Sequence, residues 1–475
     1  MNSLSALFLN AHVWDGQQFI FMPHFRVHNG IICQSETPQA DETTLNLEGG
    51  YIIPGITDIH THADFTASDS RARDYALGQG VTRQVTGLCG FHPVYPKSTS
   101  RDDYIRYTGF LGDTAMLSTS WEHFFKTLDH TGPVKKYQLF GINSFLYNYP
   151  LNSDDVLEDR INTCIEQYQS YPFQGFSLSL NYHPVKSLPT ERLYRFMNSL
   201  LTRLPVCCSY HVRDQQDRIL ESIQEVMSWH EGTAARCHIS HLKFGGASHK
   251  GRFPERYHTL LQWQKSSAFP LSWDTYPFAF ASTTLTSLFP TTDFWQEQSD
   301  DDFCQWLVDN PPPRLAETTV VCNREVFNQK TLGTIACELG ESLEKALLTI
   351  CRSLNGGGTY QRAFCEEEDL LWLLEQPETF IASDSFGLGQ VHPRCTETFT
   401  SVLYQAWHKG ELVLCEMVQR LQKGTHTVFP DIPQVALVEG QAAELFFFTP
   451  KPGSNNQPAF LVRGTIIGNE LYRFD

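Results

Sequence analysis

Residues 50–64, GYIIPGITDIHTHAD, carry an apolar run into His60-Thr61-His62. The turn pair Pro54-Gly55 interrupts the run and Ile56 to Ile59 resumes it, the pattern of a buried strand with polar groups at its end. In an extended chain, residues two apart point the same way, so His60 and His62 can offer two neutral imidazoles to one cation. Two polar strand-end histidines without a metal give the same pattern, so a metal site requires further ligands from elsewhere in the chain.

Strand and helix signals alternate through the rest of the chain. The strand candidates are 52–59, 81–88, 137–142, 175–180, 205–210, 236–240, 269–275 and 379–383. Eight strands separated by helices predict an α/β fold, a closed (β/α)8 TIM-like barrel. Among the helices, 217–230 places Ile219, Leu220, Ile223, Val226 and Met227 at helical spacing, and 366–375 begins with three acids that suit the helix dipole. Both chain ends are β-prone, with an Asn29-Gly30 hairpin signal in the first. They are expected to form one small β-sandwich domain from 1–53 and 430–475, with two separate edge additions as the alternative. The barrel would then occupy 54–429. Residues 283–330 fit no barrel unit and hold Pro290, Phe294, Trp295, Phe303, Trp306 and the acids Asp300 to Asp302. They read as an insertion, either a lid beside the catalytic face or a surface subdomain.

In a parallel barrel the C-terminal ends of the strands converge on one face. Metal-capable residues recur there: His60 and His62, then Cys89, His211, His241 and Asp384, from five of the eight strands. Imidazoles, a thiolate and a carboxylate form a borderline-soft set that suits zinc. Six donors exceed one tetrahedral ion with an open position, so the set accommodates one tight Zn2+ and a second, weaker one, with Cys89 between them.

A formal charge of -17 repels polyphosphate and argues against nucleic acid as a partner. The absence of any run near 18 apolar residues argues against a membrane span. The start of the chain lacks a basic region and a long apolar run, so no secretory signal is expected. Thirteen cysteines without framework spacing, including Cys207-Cys208, suit a reducing cytoplasm. A small-molecule substrate is expected, and the oligomeric state is open.

The segments PGITDIHTHAD (54–64), QGVTRQVTGLCG (79–90), GFSLSLNYHP (175–184), YHVRDQQDRILESIQE (210–225), HISHLK (238–243), DTYPFAFAST (274–283) and FIASDSFG (380–387), followed by His392-Pro393-Arg394, resemble the amidohydrolase superfamily. The resemblance is to its N-acyl-D-amino-acid deacylase (D-aminoacylase) branch and runs nearly end to end. It implies metal ligation by His60, His62, Cys89, His211, His241 and Asp384, with Cys89, His211 and His241 holding the tight zinc. It also implies that Lys243, Tyr276, Ser282 and Arg394 contact the substrate carboxylate, and that Asp384 is the general base and acid. Read as residues alone, Lys243 and Arg394 also suit surface salt bridges, and Tyr276 and Ser282 suit turn positions around Pro277. Three residues depart from the family pattern: Ala63 stands where an acid is usual, Leu88 where an asparagine is usual and Ser385 where a glycine is usual.

The implied activity is zinc-dependent hydrolysis of the amide bond of N-acyl-D-amino acids. A cyclic-amide or dipeptide hydrolase and a repurposed barrel acting on a specialised biosynthetic substrate are the alternatives. Phe278, Phe280 and Phe289 hint at an apolar substrate side chain.

Overall fold

The computed structural model describes residues 4–33, 42–112, 114–291, 293–322, 324–386, 392–453 and 459–474; Gly387, the last residue of FIASDSFG, lies outside them. The chain opens with β1 (Ala6–Trp14), β2 (Phe19–His28) and β3 (Ile31–Cys33), an antiparallel meander. Asn29 and Gly30 both take positive φ (51° and 72°), as the Asn-Gly signal requires. β4 (Thr43–Asn46) and β5 (Tyr51–Pro54) then pair parallel to β1.

The run read from sequence as one strand, 52–59, is two. β5 stays in this first sheet, while β6 (Ile56–Asp58) is the first barrel strand. The break falls at Gly55, which packs against Thr82 so closely that a Cβ there would lie 2.3 Å from its hydroxyl oxygen.

The barrel is built from two parallel arcs. One joins β6, β7 (Val81–Thr86) and β8 (Lys135–Gln138). The other begins at β9 (Phe140–Gly141) and runs through β10 (Phe176–Ser179), β11 (Cys207–His211), β12 (Arg236–Ile239) and β13 (Leu271–Thr275). Leu139 and Phe140 connect the arcs, through Leu139 N–H to Thr86 C=O (2.8 Å) and Phe140 N–H to Gly175 C=O (2.9 Å).

Successive strand residues face opposite ways. Phe176, Leu178, Cys208, Tyr210, Cys237, Ile239, Leu271 and Trp273 join the apolar cluster with the surrounding helices. Their neighbours Ser177, Ser209, His238, Ser272 and Asp274 are buried polar residues, and some pair across strands: His238 with Ser272 at 2.8 Å and with Asp274 at 2.8 Å.

Between β13 and the last barrel strand lies the insertion, an antiparallel sheet of β14 (Phe280–Thr284), β15 (Thr319–Val321), β16 (Lys330–Thr331) and β17 (Thr359–Ala363) with helices over it. It reaches well past residue 330. Its own core contains Phe289, Trp295, Phe303, Val320, Leu347 and Tyr360, which is where its aromatics go. Ser299 caps the helix Asp300–Asp309 by accepting the Asp302 N–H (3.2 Å), and the three acids occupy its first turn.

β18 (Thr379–Ile381) pairs with β13, and the barrel closes just beyond it. There Asp384 N–H donates to His60 C=O and His62 N–H donates to Ser385 C=O, both at 2.8 Å. The helices Arg394–Lys409 and Glu411–Val428 follow. β19 (Glu444–Pro450), β20 (Phe460–Ile467) and β21 (Glu470–Arg473) then return to the first sheet, β19 pairing antiparallel with β5. The run Phe446 to Phe448 is buried on both faces. Leu445 and Phe447 enter the small sheet's core, while Phe446 and Phe448 pack on the barrel, each worth roughly 1.5–3 kcal/mol. No helix of the described residues is long and apolar enough to cross a membrane.

Beneath the barrel's outer layer, His230 meets the Tyr210 hydroxyl (2.8 Å) and the Ala235 carbonyl (3.2 Å), and burial lowers its pKa to about 4. The unfolded chain binds this proton near 6.5, so the stability His230 contributes is complete above 6.5 and erodes as pH falls towards 4. The difference is on the order of 3 kcal/mol. His230→Gln is expected to flatten the fall in melting temperature over that interval; an unchanged slope would rule the assignment out.

Candidate metal centre

The six donors predicted from sequence converge at the closed seam of the barrel, all of them buried. His60 and His62 follow β6, Cys89 follows β7, His211 ends β11, and His241 and Asp384 lie just past β12 and β18. The Cys89 sulfur is 3.6 Å from His60 Nε2 and 3.5 Å from His241 Nε2. Asp384 Oδ1 lies 3.4 Å from His60 Nε2 and 3.5 Å from His62 Nε2. The donors form two groups sharing the sulfur: His60, His62, Cys89 and Asp384, and Cys89, His211 and His241, with all donor atoms of a group within 4.8 Å of one another.

Local backbone geometry aims them. Cys89, His241 and Asp384 take positive φ (51°, 39° and 51°), which costs a non-glycine residue on the order of 1–3 kcal/mol. Hydrogen bonds hold each turn. Gly90 N–H donates to Ser177 Oγ (2.9 Å), His241 N–H to Asp274 Oδ1 (2.7 Å) and Asp384 N–H to His60 C=O (2.8 Å).

Burial alone would raise the Cys89 thiol, yet hydrogen bonds from His211, His241, His60 and His62 hold it well below the usual cysteine range. That environment favours the thiolate, the form that binds metal. Burial would likewise raise Asp384, and the adjacent Arg394 guanidinium together with His241, His60 and His62 outweighs it, holding the carboxylate well below its usual range. His60 Nδ1 faces Asp274 Oδ2 at 3.2 Å, and His241 Nδ1 faces the Gln215 amide at 2.7 Å. Asp274 accepts the His60 Nδ1 proton and leaves His60 Nε2 for a cation, whereas His241 frees its own Nε2 only with the Gln215 amide turned to present its oxygen to Nδ1. A thiolate, a carboxylate and imidazole nitrogens turned inward fit a divalent metal of the zinc type.

Asp274 and Gln215 were not among the sequence candidates. A signal existed for Asp274, an acid inside the apolar strand LSWDT; Gln215 sits in a loop with no distinguishing pattern.

Lys243, Tyr276, Ser282 and Arg394 border a cavity of about 210 Å³ that opens onto the donors. Lys243 and Arg394 are 2% and 1% exposed, so neither is a surface salt bridge. Arg394 Nη1 donates to Asp384 Oδ2 (2.7 Å), and Nη2 to the Ser282 carbonyl (3.5 Å). The Lys243 ammonium nitrogen has no hydrogen-bond partner and stands 2.8 Å from the centre of the Tyr276 ring. Burial, with Arg394 nearby, holds the Lys243 amine well below the usual lysine range.

The apolar hint from Phe278, Phe280 and Phe289 does not survive. The first two pack around His392, and Phe289 belongs to the insertion's core; the phenylalanines that line the cavity are Phe91, Phe110, Phe364 and Phe386. Of the departures, Leu88 packs behind Cys89, while Ala63 and Ser385 border a separate cavity of about 30 Å³.

Fold and donor set together define a barrel of the amidohydrolase type. No family model matches the chain. The sequence is 22% identical over 418 residues to an N-acyl-D-aspartate deacylase of Alcaligenes xylosoxydans xylosoxydans, spanning 86% of this chain and 77% of that one. The structure is similar to an N-acyl-D-glutamate deacylase of Bordetella bronchiseptica, solved with zinc and a phosphonate inhibitor. The TM-score is 0.75 at 17% identity, over 99% of this chain and 96% of that one. A D-aminoacylase gives a TM-score of 0.75 at 18% identity, over 98% and 96%. The expected (β/α)8 barrel with its companion β domain, and the resemblance to the D-aminoacylase branch of the amidohydrolases, are both borne out.

Proposed function

We propose that this chain is a zinc-dependent hydrolase of N-acyl-D-amino acids. The observation that carries the reading is the position of Asp384. One oxygen faces His60 and His62, and the other is held by Arg394 in a cavity that also contains Lys243. A carboxylate bound by Arg394 and Lys243 places the amide nitrogen, two bonds from the carboxylate carbon, towards the donor groups, a binding mode that favours a linear substrate with a free carboxylate over a neutral cyclic amide. The D configuration is supported by the names of the relatives, all of which act on D-amino-acid derivatives.

Cys89, His211 and His241 are assigned the tight zinc, and His60, His62 and Asp384 a second, weaker position beside the same sulfur. Bound there, zinc lowers the pKa of water towards about 7 and polarises a carbonyl oxygen. Asp384 takes the proton of the attacking water and delivers it to the amide nitrogen as the C–N bond breaks. Lys243, Tyr276 and Arg394 fix the substrate carboxylate, and the burial of the site excludes competing water. The products are a carboxylic acid and a free amino acid.

The direct test is chiral chromatography of the amino acids released from racemic N-acetyl substrates by zinc-loaded protein. Release of D enantiomers alone is expected. Release of L enantiomers, or no release from any substrate, would overturn the reading.

A further inference from the structure

Four basic side chains border the 210 Å³ cavity, Arg213, Lys243, Arg362 and Arg394, and they differ in what surrounds them. Arg394 is bound to Asp384 at 2.7 Å, and Arg213 is clamped by both oxygens of Glu225 at 2.7 and 3.0 Å. Lys243 is buried beside Tyr276. Arg362 has no carboxylate within 4.0 Å among the described residues. It is half-buried on β17, opposite Ala281 of β14, with its guanidinium carbon 5.6 Å from the centre of the Tyr360 ring.

Arg362 also borders a second cavity of about 310 Å³, which meets the first at Gln216, Arg362 and Phe364. Phe364 reaches this position because Gly245 leaves room: a Cβ there would lie 2.5 Å from the ring. The space above the metal-capable donors therefore continues past an uncompensated guanidinium. A half-buried fork of donors with no carboxylate within 4.0 Å among the described residues, Glu366 and Asp369 lying further along the second cavity, is a site for an anion supplied from outside the protein.

The geometry points to Arg362 as the group that reads a second carboxylate on the substrate, so that the preferred substrates are dianions. This inference rests on the deacylase reading of the same site. With the α-carboxylate at Lys243 and Arg394, the second carboxylate belongs either to an acidic amino-acid side chain or to the far end of the acyl group. Both sources present the same chemistry to Arg362.

The test compares matched pairs on wild-type, Arg362→Gln and Arg362→Lys proteins. N-acetyl-D-glutamate against N-acetyl-D-glutamine reads the side chain; N-succinyl-D-leucine against N-butyryl-D-leucine reads the acyl end. Wild type is expected to favour the dianion of one pair by about 10- to 100-fold in kcat/KM. Arg362→Gln is expected to lose that preference through KM while its rate on the neutral partner stays unchanged, and Arg362→Lys to restore part of it. Wild-type indifference in both pairs, or a preference that survives Arg362→Gln, would overturn the role of Arg362 and leave the deacylase reading standing. If no substrate is hydrolysed, the deacylase reading falls, and calorimetric affinities for the same intact pairs still decide whether Arg362 selects the dianion.

Discussion

Asp384→Asn is expected to lower kcat by about 10²- to 10⁴-fold, the range a positioned acid–base group supplies, without raising KM. The direction of KM follows from the ion pair. In the wild-type protein Arg394 Nη1 is occupied by Asp384 Oδ2 at 2.7 Å, and asparagine releases that guanidinium charge to a substrate carboxylate. A change confined to kcat separates proton transfer from substrate binding. Metal content by mass spectrometry should show the equivalent held by Cys89, His211 and His241 intact, since none of those donors changes. A variant that keeps wild-type kcat with metal bound would remove Asp384 from the chemistry.

The site was legible in the sequence because barrel topology turns position along the chain into position in space. Once the strands are recognised, residues at their C-terminal ends have to meet, so His60, Cys89, His211, His241 and Asp384 could be collected although they are spread over more than three hundred positions. Periodicity also marked the helices, with 219–228 and 367–375 observed inside the ranges 217–230 and 366–375. Less legible was anything set by contacts between distant segments. The division of 52–59 into two strands depends on how closely Thr82 approaches Gly55. The left-handed turns at Cys89, His241 and Asp384 are held by Ser177, Asp274 and the His60 carbonyl, and a non-glycine residue gives no local hint of such a turn. The insertion beyond 330 was missed for a related reason. Its strands β15 and β16 are two or three residues long, β17 follows only after two helices, and all take their partners from within the insertion itself.

Asp274 shows how much of the site lies behind the donors. Its Oδ2 faces His60 Nδ1 at 3.2 Å and His238 Nε2 at 2.8 Å, its Oδ1 accepts the His241 N–H at 2.7 Å, and its carbonyl accepts the Leu242 N–H at 2.6 Å. One buried carboxylate thus fixes the tautomer of a donor in one group and the strained turn of a donor in the other. Burial would raise its pKa, and the charge and hydrogen bonds of His60 and His238 hold it below the usual carboxylate range. Asp274→Asn replaces an acceptor of both ring protons with an amide that must donate from one side. An amide nitrogen turned to His60 would favour an unprotonated Nδ1 and a protonated Nε2, and a protonated Nε2 cannot bind a cation. Zinc affinity, measured by competition with a fluorescent chelator, is expected to fall about 10- to 100-fold, the usual consequence of removing the partner of a ligating histidine. Opening a buried, multiply bonded charge network also costs about 3–5 kcal/mol, so the zinc-free protein should melt earlier as well. Wild-type zinc affinity in a destabilised Asp274→Asn protein would make Asp274 a support of the barrel alone, whereas a loss of affinity larger in His60-dependent binding than at Cys89, His211 and His241 would place its main effect on the His60 tautomer.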